Sequence, residues 1–268
     1  MMTVAAAPAA SVPTPVRLPL GTRLAMLVRL LAVQGSFNYE IMLGNGVGFC
    51  IEPALRLLPG GTRGTAYREA LARESRYFNA HPYLAAVAVG ALARAELEQA
   101  PPERIERFRT ALCGPLGSVG DRLVWAGWLP FCSLLALTVF GFGGGPLAVV
   151  LVFLISYNVG HLALRTWGLG VGWTHGLRVA SALGNPILRR GPPQIARAAA
   201  VLAGIALPLT LEQIIGPGRR LMGGVLLAIV LGSILLVRLQ SRAEGWRVAL
   251  GVLLAFLLLS VALSTVGR

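Results

Sequence analysis

The run LVWAGWLPFCSLLALTVFG, Leu123–Gly141, holds no charged residue in 19 positions. As a helix it would rise about 28 Å, close to the thickness of a bilayer's hydrocarbon core. GPLAVVLVFLISYNVGHLAL, Gly145–Leu164, repeats the pattern after a short glycine turn. Leu221–Val237 and Trp246–Ser264 are two further clear runs, and Ile195–Leu211, interrupted by Arg197 and Pro208, is the weakest of the five. Composition agrees: 55% of residues are hydrophobic and only 13% charged, with a mean hydropathy of +0.70. A soluble domain carries roughly 25% charged residues, so this chain could not clothe a globular surface. It reads as an all-α integral membrane protein.

The net charge of +13 invites a nucleic-acid reading, since a basic patch is the footprint of phosphate binding. The arginines, however, sit between apolar runs and form no stripe on one polar face. Up to Leu112 there are 12 Arg against 8 acids; from Cys113 onward there are 12 Arg against 3. The later excess is what the positive-inside rule produces beside spans. The Arg165–Arg197 stretch, with five Arg and no acid, and the Arg238–Arg247 loop are therefore expected to be cytoplasmic. The uncharged Gly141–Gly145 turn is expected outside, and the Arg219–Arg220 pair is the exception. This gives five spans, a cytoplasmic amino terminus and an external carboxy terminus. Cys50, Cys113 and Cys132 are too scattered for a disulfide framework or a zinc site. No cofactor or metal is implied.

The chain divides near Leu112. Residues 1–16 are small, Ala- and Pro-rich and lack the order of a signal peptide; a disordered tail is expected. Residues 17–112 are amphipathic. Thr22–Val33 has apolar residues at helical spacing, with Arg23 and Arg29 placed to snorkel from an interfacial helix. Ser36–Leu58, broken by Gly44, Gly46, Gly48 and Pro53, suits a broken or re-entrant helix buried in protein. Thr62–Glu74 reads as a surface helix. Pro82–Leu97 is an Ala-rich helix whose small residues invite close helix approach. Pro101 and Pro102 end it, and Glu103–Ala111 is another amphipathic piece. Residues 113–268 form the transmembrane part.

Four segments carry polar groups where an apolar chain would not place them: Gln34–Glu40, Arg76–Pro82, Gly114–Asp121, and Tyr157–Asn158 with His161 and Arg165. A carboxylate at the edge of a membrane run is costly and tends to be paired or functional, so Asp121 is the most informative. The glycines before it permit a tight turn, but no Lys-Ser/Thr follows to make a phosphate loop. Asp121 could equally cap the next helix. His81 could cap the Ala-rich helix; Asn38 and Glu40 could bind sugar hydroxyls or tie helix ends together. His161 and Arg165 fall one turn apart, as if at the cytoplasmic interface. Trp125, Trp128, Trp167 and Trp173 suit an aromatic belt. No catalytic triad, carboxylate pair or exposed phosphoryl-accepting His is visible, which excludes most enzyme classes.

These segments, in this order, resemble the IID subunit of the mannose/fructose/sorbose family of bacterial phosphotransferase systems. The family's Gln-Gly-Ser-Trp-Asn-Tyr/Phe-Glu motif is matched by Gln34–Glu40, with Phe37 for Trp, and by Met42, Gly48 and Phe49. Its Phe-Asn-Thr-His/Gln-Pro motif is matched by Phe78, Asn79, His81 and Pro82, followed by Gly90 and Glu96. Leu112–Asp121, Trp125, Gly145, Pro146, Asn158, Arg165, Gly168, Gly172 and Gly176 complete the set. The match is strong over residues 30–176 and looser beyond. Arg122 replaces the family's Pro or Ser, Gln194–Ala198 replaces a Lys-Leu-Thr-Glu-Gly run, and only about ten residues separate Leu211 from Leu221.

The resemblance implies a non-enzymatic subunit in the bacterial inner membrane. It would pair with a IIC membrane subunit to form a path for a hexose-type sugar, as a trimer of IIC–IID pairs. Soluble IIA and IIB subunits would pass phosphate to the sugar. Gln34, Asn38, Glu40, Asn79, His81 and Asp121 are then expected to line the path or the polar core, and Trp125, Asn158 and Arg165 to face a partner. The shortened 211–221 loop leaves a regulatory membrane protein of the same fold as the alternative. An unrelated membrane enzyme lacks a visible constellation.

Overall fold

A computed structural model of the chain describes residues 17–179 and 186–215, with Gly223, Leu227, Val230, Leu231 and Ile234 as single positions beyond them. Apart from those five, the runs Leu221–Val237 and Trp246–Ser264 lie outside the described residues, as do the tail, the Arg219–Arg220 pair and the Arg238–Arg247 loop. The described elements are all helical: α1 Leu20–Leu30, α2 Gly44–Leu55, α3 Thr65–Glu74, α4 Ala85–Leu97, α5 Pro102–Gly120, α6 Leu129–Gly141, α7 Pro146–His175 and α8 Pro186–Ile215.

The amino-terminal helices build a core around α2 and α4. Helix α1 is apolar on two sides: Met26 and Leu30 are buried, while Leu20, Leu24, Val28 and Leu31 form an exposed stripe, as an interfacial helix would. Arg29 does not snorkel as its spacing suggested. It turns inward and donates to the Phe49 carbonyl (2.8 Å) and to Glu52 Oε2 (2.7 Å). The reason lies in α2: Pro53 has no N–H to return to the carbonyl four residues earlier, and Arg29 supplies the missing donor. Glu52 also accepts from Arg56 (2.6 Å) and from the Tyr67 hydroxyl (2.8 Å), so one carboxylate joins α1, α2 and α3. Burial pushes its carboxyl up, but these donors outweigh that and hold it below its ordinary range.

A second, deeper ion cluster fixes α3 against α4 and α5. Arg109 donates to Glu74 (2.7 Å) and to the carbonyls of Arg73 (2.7 Å) and Arg76 (2.9 Å), closing the carboxy-terminal end of α3. Arg73 makes a bidentate pair with Glu96, both bonds 2.8 Å. Glu74 is fully buried and its Oε1 has no partner. Burial pushes its carboxyl up; Arg109 pulls it back, and Glu96 beside it adds to the rise.

Three helical stretches are long and apolar enough to cross a membrane: Pro102–Gly141, Pro146–Arg178 and Arg190–Ile214. They contain the three sequence runs that fall within the described residues. The chain passes Leu112 without a break, because α5, the turns at Asp121–Trp128 and α6 form one continuous helix of 40 residues. The expected tight turn at Gly114–Gly120 is absent. These glycines are helical, and at Gly120 a Cβ would collide with the His81 side chain. Helix α6 runs antiparallel to α7, with Trp128 against Gly160, and alongside α8, with Gly141 against Leu209. Helix α8 continues through Pro208, so the weakest apolar run does form one helix. The small residues of α4 do what their size suggested. Gly90 meets the backbone of Leu169 and Trp173, and Gly172 meets that of Val87, so α4 and α7 touch main chain to main chain.

Candidate functional site: a polar cleft over the start of α4

Three of the four polar segments converge. Gln34, Asn79, His81, Ser118, Asp121 and Trp125 line a cleft of about 440 Å³ together with Phe37 and the bare backbone at Gly114 and Gly117. Each wall has a local cause. The Gln34–Glu40 loop is shaped by Asn38, whose Oδ1 accepts from the backbone of Glu40 (3.0 Å) and Ile41 (2.9 Å). This is an Asx turn. Met42, at φ 53°, then turns the chain, and Leu43 N–H reaches the Phe78 carbonyl (2.9 Å). That bond sets the first motif beside the second, so Gln34 and Asn79 share a wall.

The third motif reaches the cleft through a change of helical pitch. Asp121–Trp128 is a π-helical segment, with Leu129 N–H bonded to the Val124 carbonyl. Pro130 follows and has no N–H to give to Ala126, and its ring crowds that carbonyl, so the turn before it widens. Asp121 is therefore no helix cap: it lies inside a continuous helix and makes no capping bond. Asp121 and Trp125, one wide turn apart, both lie on the cleft wall.

His81 forms the floor. It is 1% exposed, packs against Trp125 and Tyr83 with ring centres 5.0 Å away in each case, and accepts the Tyr83 N–H at Nδ1 (3.2 Å). That acceptor bond assigns the proton to Nε2, and Nε2 has no partner. No bond joins the side chains of Gln34, Asn79 or Asp121 to another described residue. The cleft thus offers free amide, carboxylate and imidazole groups beside an indole face. Sequence reading missed Ser118 and Phe37 as lining residues. It missed the π segment too, although Pro130 was the available signal.

Burial, reinforced by the nearby Arg165 charge, pushes the His81 imidazole down to about 4. Between about pH 6.5 and pH 4 the unfolded chain takes up a proton that the folded chain refuses. Stability is therefore expected to fall as pH falls through that window, by about 3 kcal/mol in all. Above it both states are neutral and nothing changes. Melting curves of wild type and His81→Gln in detergent check this: the pH-dependent difference between them should appear only below pH 6.5.

The remaining candidates lie elsewhere. Asn38 is engaged within its own loop, and Glu40 is exposed and away from the cleft. Arg165 is 4% exposed, which removes it from any chain surface and corrects the interface reading. It donates to the Leu30 carbonyl, at the negative end of the α1 dipole, and lies 4.7 Å over the Tyr83 ring. Asn158 is exposed on α7 and Trp125 is 42% exposed, so both remain open to a partner. Among the described residues no cluster of His, Cys, Asp or Glu could hold a metal.

Comparison with known proteins points one way. The family model described as "PTS system mannose/fructose/sorbose family IID component" matches residues 18–211. The fructose permease IID component of Bacillus subtilis is 31% identical over 169 residues, covering 61% of this chain and 60% of that protein. The mannose-specific EIID component of Escherichia coli K12 is 30% identical over 163 residues, or 59% and 56%. The sorbose-specific EIID component of Klebsiella pneumoniae is 31% identical over 178 residues, or 63% and 62%. The matches thus span about three fifths of these relatives' lengths. The fold resembles that of a chain in the cryo-EM structure of the mannose transporter ManYZ with microcin E492, at 22% identity and a TM-score of 0.56 over 94% of this chain and 98% of that one. A second membrane-protein structure gives 0.72 at the same identity and coverage. With a family model matched across the core helices, the cleft and all three apolar runs that fall within the described residues, this chain belongs to the IID component family of the mannose/fructose/sorbose phosphotransferase systems.

Proposed function

We propose that the chain is the membrane subunit of a mannose-type sugar permease that carries no phosphoryl group of its own. With a IIC subunit it forms the translocation path for a hexose-type sugar, as a trimer of IIC–IID pairs in the bacterial inner membrane. Soluble IIA and IIB subunits phosphorylate the sugar. The amino terminus lies in the cytoplasm and the carboxy terminus outside. The observation that carries this reading is the cleft: Gln34, Asn79, His81 and Asp121 come from three separate motifs, and their side chains keep hydrogen-bonding capacity free. Hydroxyl-rich ligands are bound by amides and carboxylates, with an aromatic face such as Trp125 against the sugar ring. The cleft also lies where a π segment interrupts a spanning helix, and such interruptions are frequent at functional sites.

Uptake of labelled sugar by cells that hold every partner subunit tests the proposal. Asp121→Ala or Asn79→Ala is expected to reduce uptake to background while the variant accumulates in the membrane at the normal level. Normal uptake at that level would refute the assignment.

A further inference from the structure

Helix α7 exposes a long apolar stripe: Leu147, Val150, Leu151, Leu154, Ile155, Val159 and Leu162 are each at least 44% exposed. Spaced three and four residues apart, they lie on one side of the helix. Lipid would satisfy such a stripe except at one point. Asn158, also exposed, stands within it, one turn before its last member Leu162 and about 18 Å along the helix from Pro146. Counted from the start of the helix at Pro146, that distance is a little past half of a hydrocarbon core of about 30 Å.

The carboxamide is only partly satisfied. Asn158 Nδ2 donates to the Leu154 carbonyl (2.6 Å), and Oδ1 accepts from His161 Nε2 (3.0 Å). One N–H of the amide remains. Behind it, His161 Nδ1 accepts from Arg165 Nε (3.4 Å), so the proton of His161 points toward Asn158. Arg165 is buried, and its partners are a carbonyl, an imidazole and a tyrosine ring, with no carboxylate among the described residues. A chain of donors thus runs from an uncompensated cation to the exposed face, Arg165 to His161 to Asn158. It ends on a free N–H in the apolar layer. A polar group at that depth is expensive against lipid and is normally turned toward protein.

The outer face of α8 makes the contrast. From Ala198 to Leu207 every residue is apolar, with Val201 and Ile205 exposed. That face needs nothing but lipid.

We infer that the α7 face centred on Asn158 docks a transmembrane helix of the IIC partner, which places a hydrogen-bond acceptor against the free Asn158 N–H. The inference rests on the permease reading, which supplies the partner. The donor chain behind Asn158 favours an acceptor of negative charge or a strongly polarised carbonyl, because only an acceptor continues the sequence of donors. The apolar flanks, Leu154, Ile155, Val159 and Leu162, pack against the same helix.

Photo-cross-linking of the full chain co-expressed with the IIC subunit of its own organism is the test. Val159 is replaced by p-benzoylphenylalanine in one sample and Val201 in another. The expected result is a cross-link to IIC from position 159 and cross-links to lipid alone from 201. Asn158→Leu should lower co-purified IIC about three- to tenfold, the loss of one interhelical hydrogen bond in a membrane, and Asn158→Gln should recover part of it. If IIC co-purifies but position 159 labels only lipid or a second copy of this chain, the docking face is wrong and the permease reading survives. If Asn158→Leu leaves co-purification unchanged, the acceptor is wrong. If IIC does not co-purify with the unaltered chain at all, the permease reading falls and the docking face with it.

Discussion

Arg109→Met is expected to leave little folded protein in the membrane. The guanidinium serves Glu74 and, at the same time, the carbonyls that end α3. Methionine keeps much of the volume but leaves these acceptors without their donor, and Glu74 is fully buried with one oxygen already unpartnered. Removing one member of a buried ion pair costs about 3–5 kcal/mol, a large fraction of the stability of a typical domain. The double variant Arg109→Met with Glu74→Met separates pairing from packing. It should melt closer to wild type than Arg109→Met alone, because it removes the stranded carboxylate as well. Thermal melts followed by size-exclusion chromatography in detergent measure both. A single variant as stable as wild type would mean that the cluster contributes nothing to the docking of α3.

The second large effect is expected at the α4–α7 contact. A side chain at Gly90 would have to occupy the space of the Leu169 carbonyl and the Trp173 amide, which belong to backbone and cannot rotate away. Gly90→Leu should therefore separate two helices that otherwise touch main chain to main chain, at a cost of about 3 kcal/mol or more. Gly204→Ala in α8 is the control, since nothing lies within 4 Å of the added carbon. There the gain in helix propensity should raise stability by up to about 1 kcal/mol. Equal melting temperatures for the two variants would contradict the close approach.

Much of this architecture was legible in the residues. Run length and the scarcity of charge picked out the three described helical stretches that are long and apolar enough to cross a membrane, because a bilayer requires both. The Ala- and Gly-rich stretch from Ala85 to Ala91 announced a close helix contact, since small side chains leave no other use for that face. Long-range pairing was not legible. Arg29, Glu74 and Arg109 sit at positions that read as solvated faces of short helices, and only the folded chain shows that each turns inward. Arg165 was hidden for the same reason: beside an apolar run it resembles an interfacial arginine, yet it reaches a carbonyl 135 positions away in sequence.

The candidate site was legible in its members more than in its geometry. Gln34, Asn79, His81 and Asp121 stood out as polar groups in apolar surroundings, and they do meet. Asn38 stood out equally but serves its own turn, and local hydrogen bonding of that kind is indistinguishable from ligand binding in a bare sequence. The glycines before Asp121 looked like a turn because glycine permits one. Here they are helical, and Gly120 is required by the approach of His81.

The central claim, that this chain completes a sugar permease, is tested most directly by phosphoenolpyruvate-dependent uptake of labelled hexose. The cells would express the IIC, IIA and IIB partners with or without this chain. The permease reading predicts uptake only when the chain is present, and its loss on Asp121→Ala. Equal uptake with the chain omitted, or none with the complete set across mannose, fructose and sorbose, would contradict it.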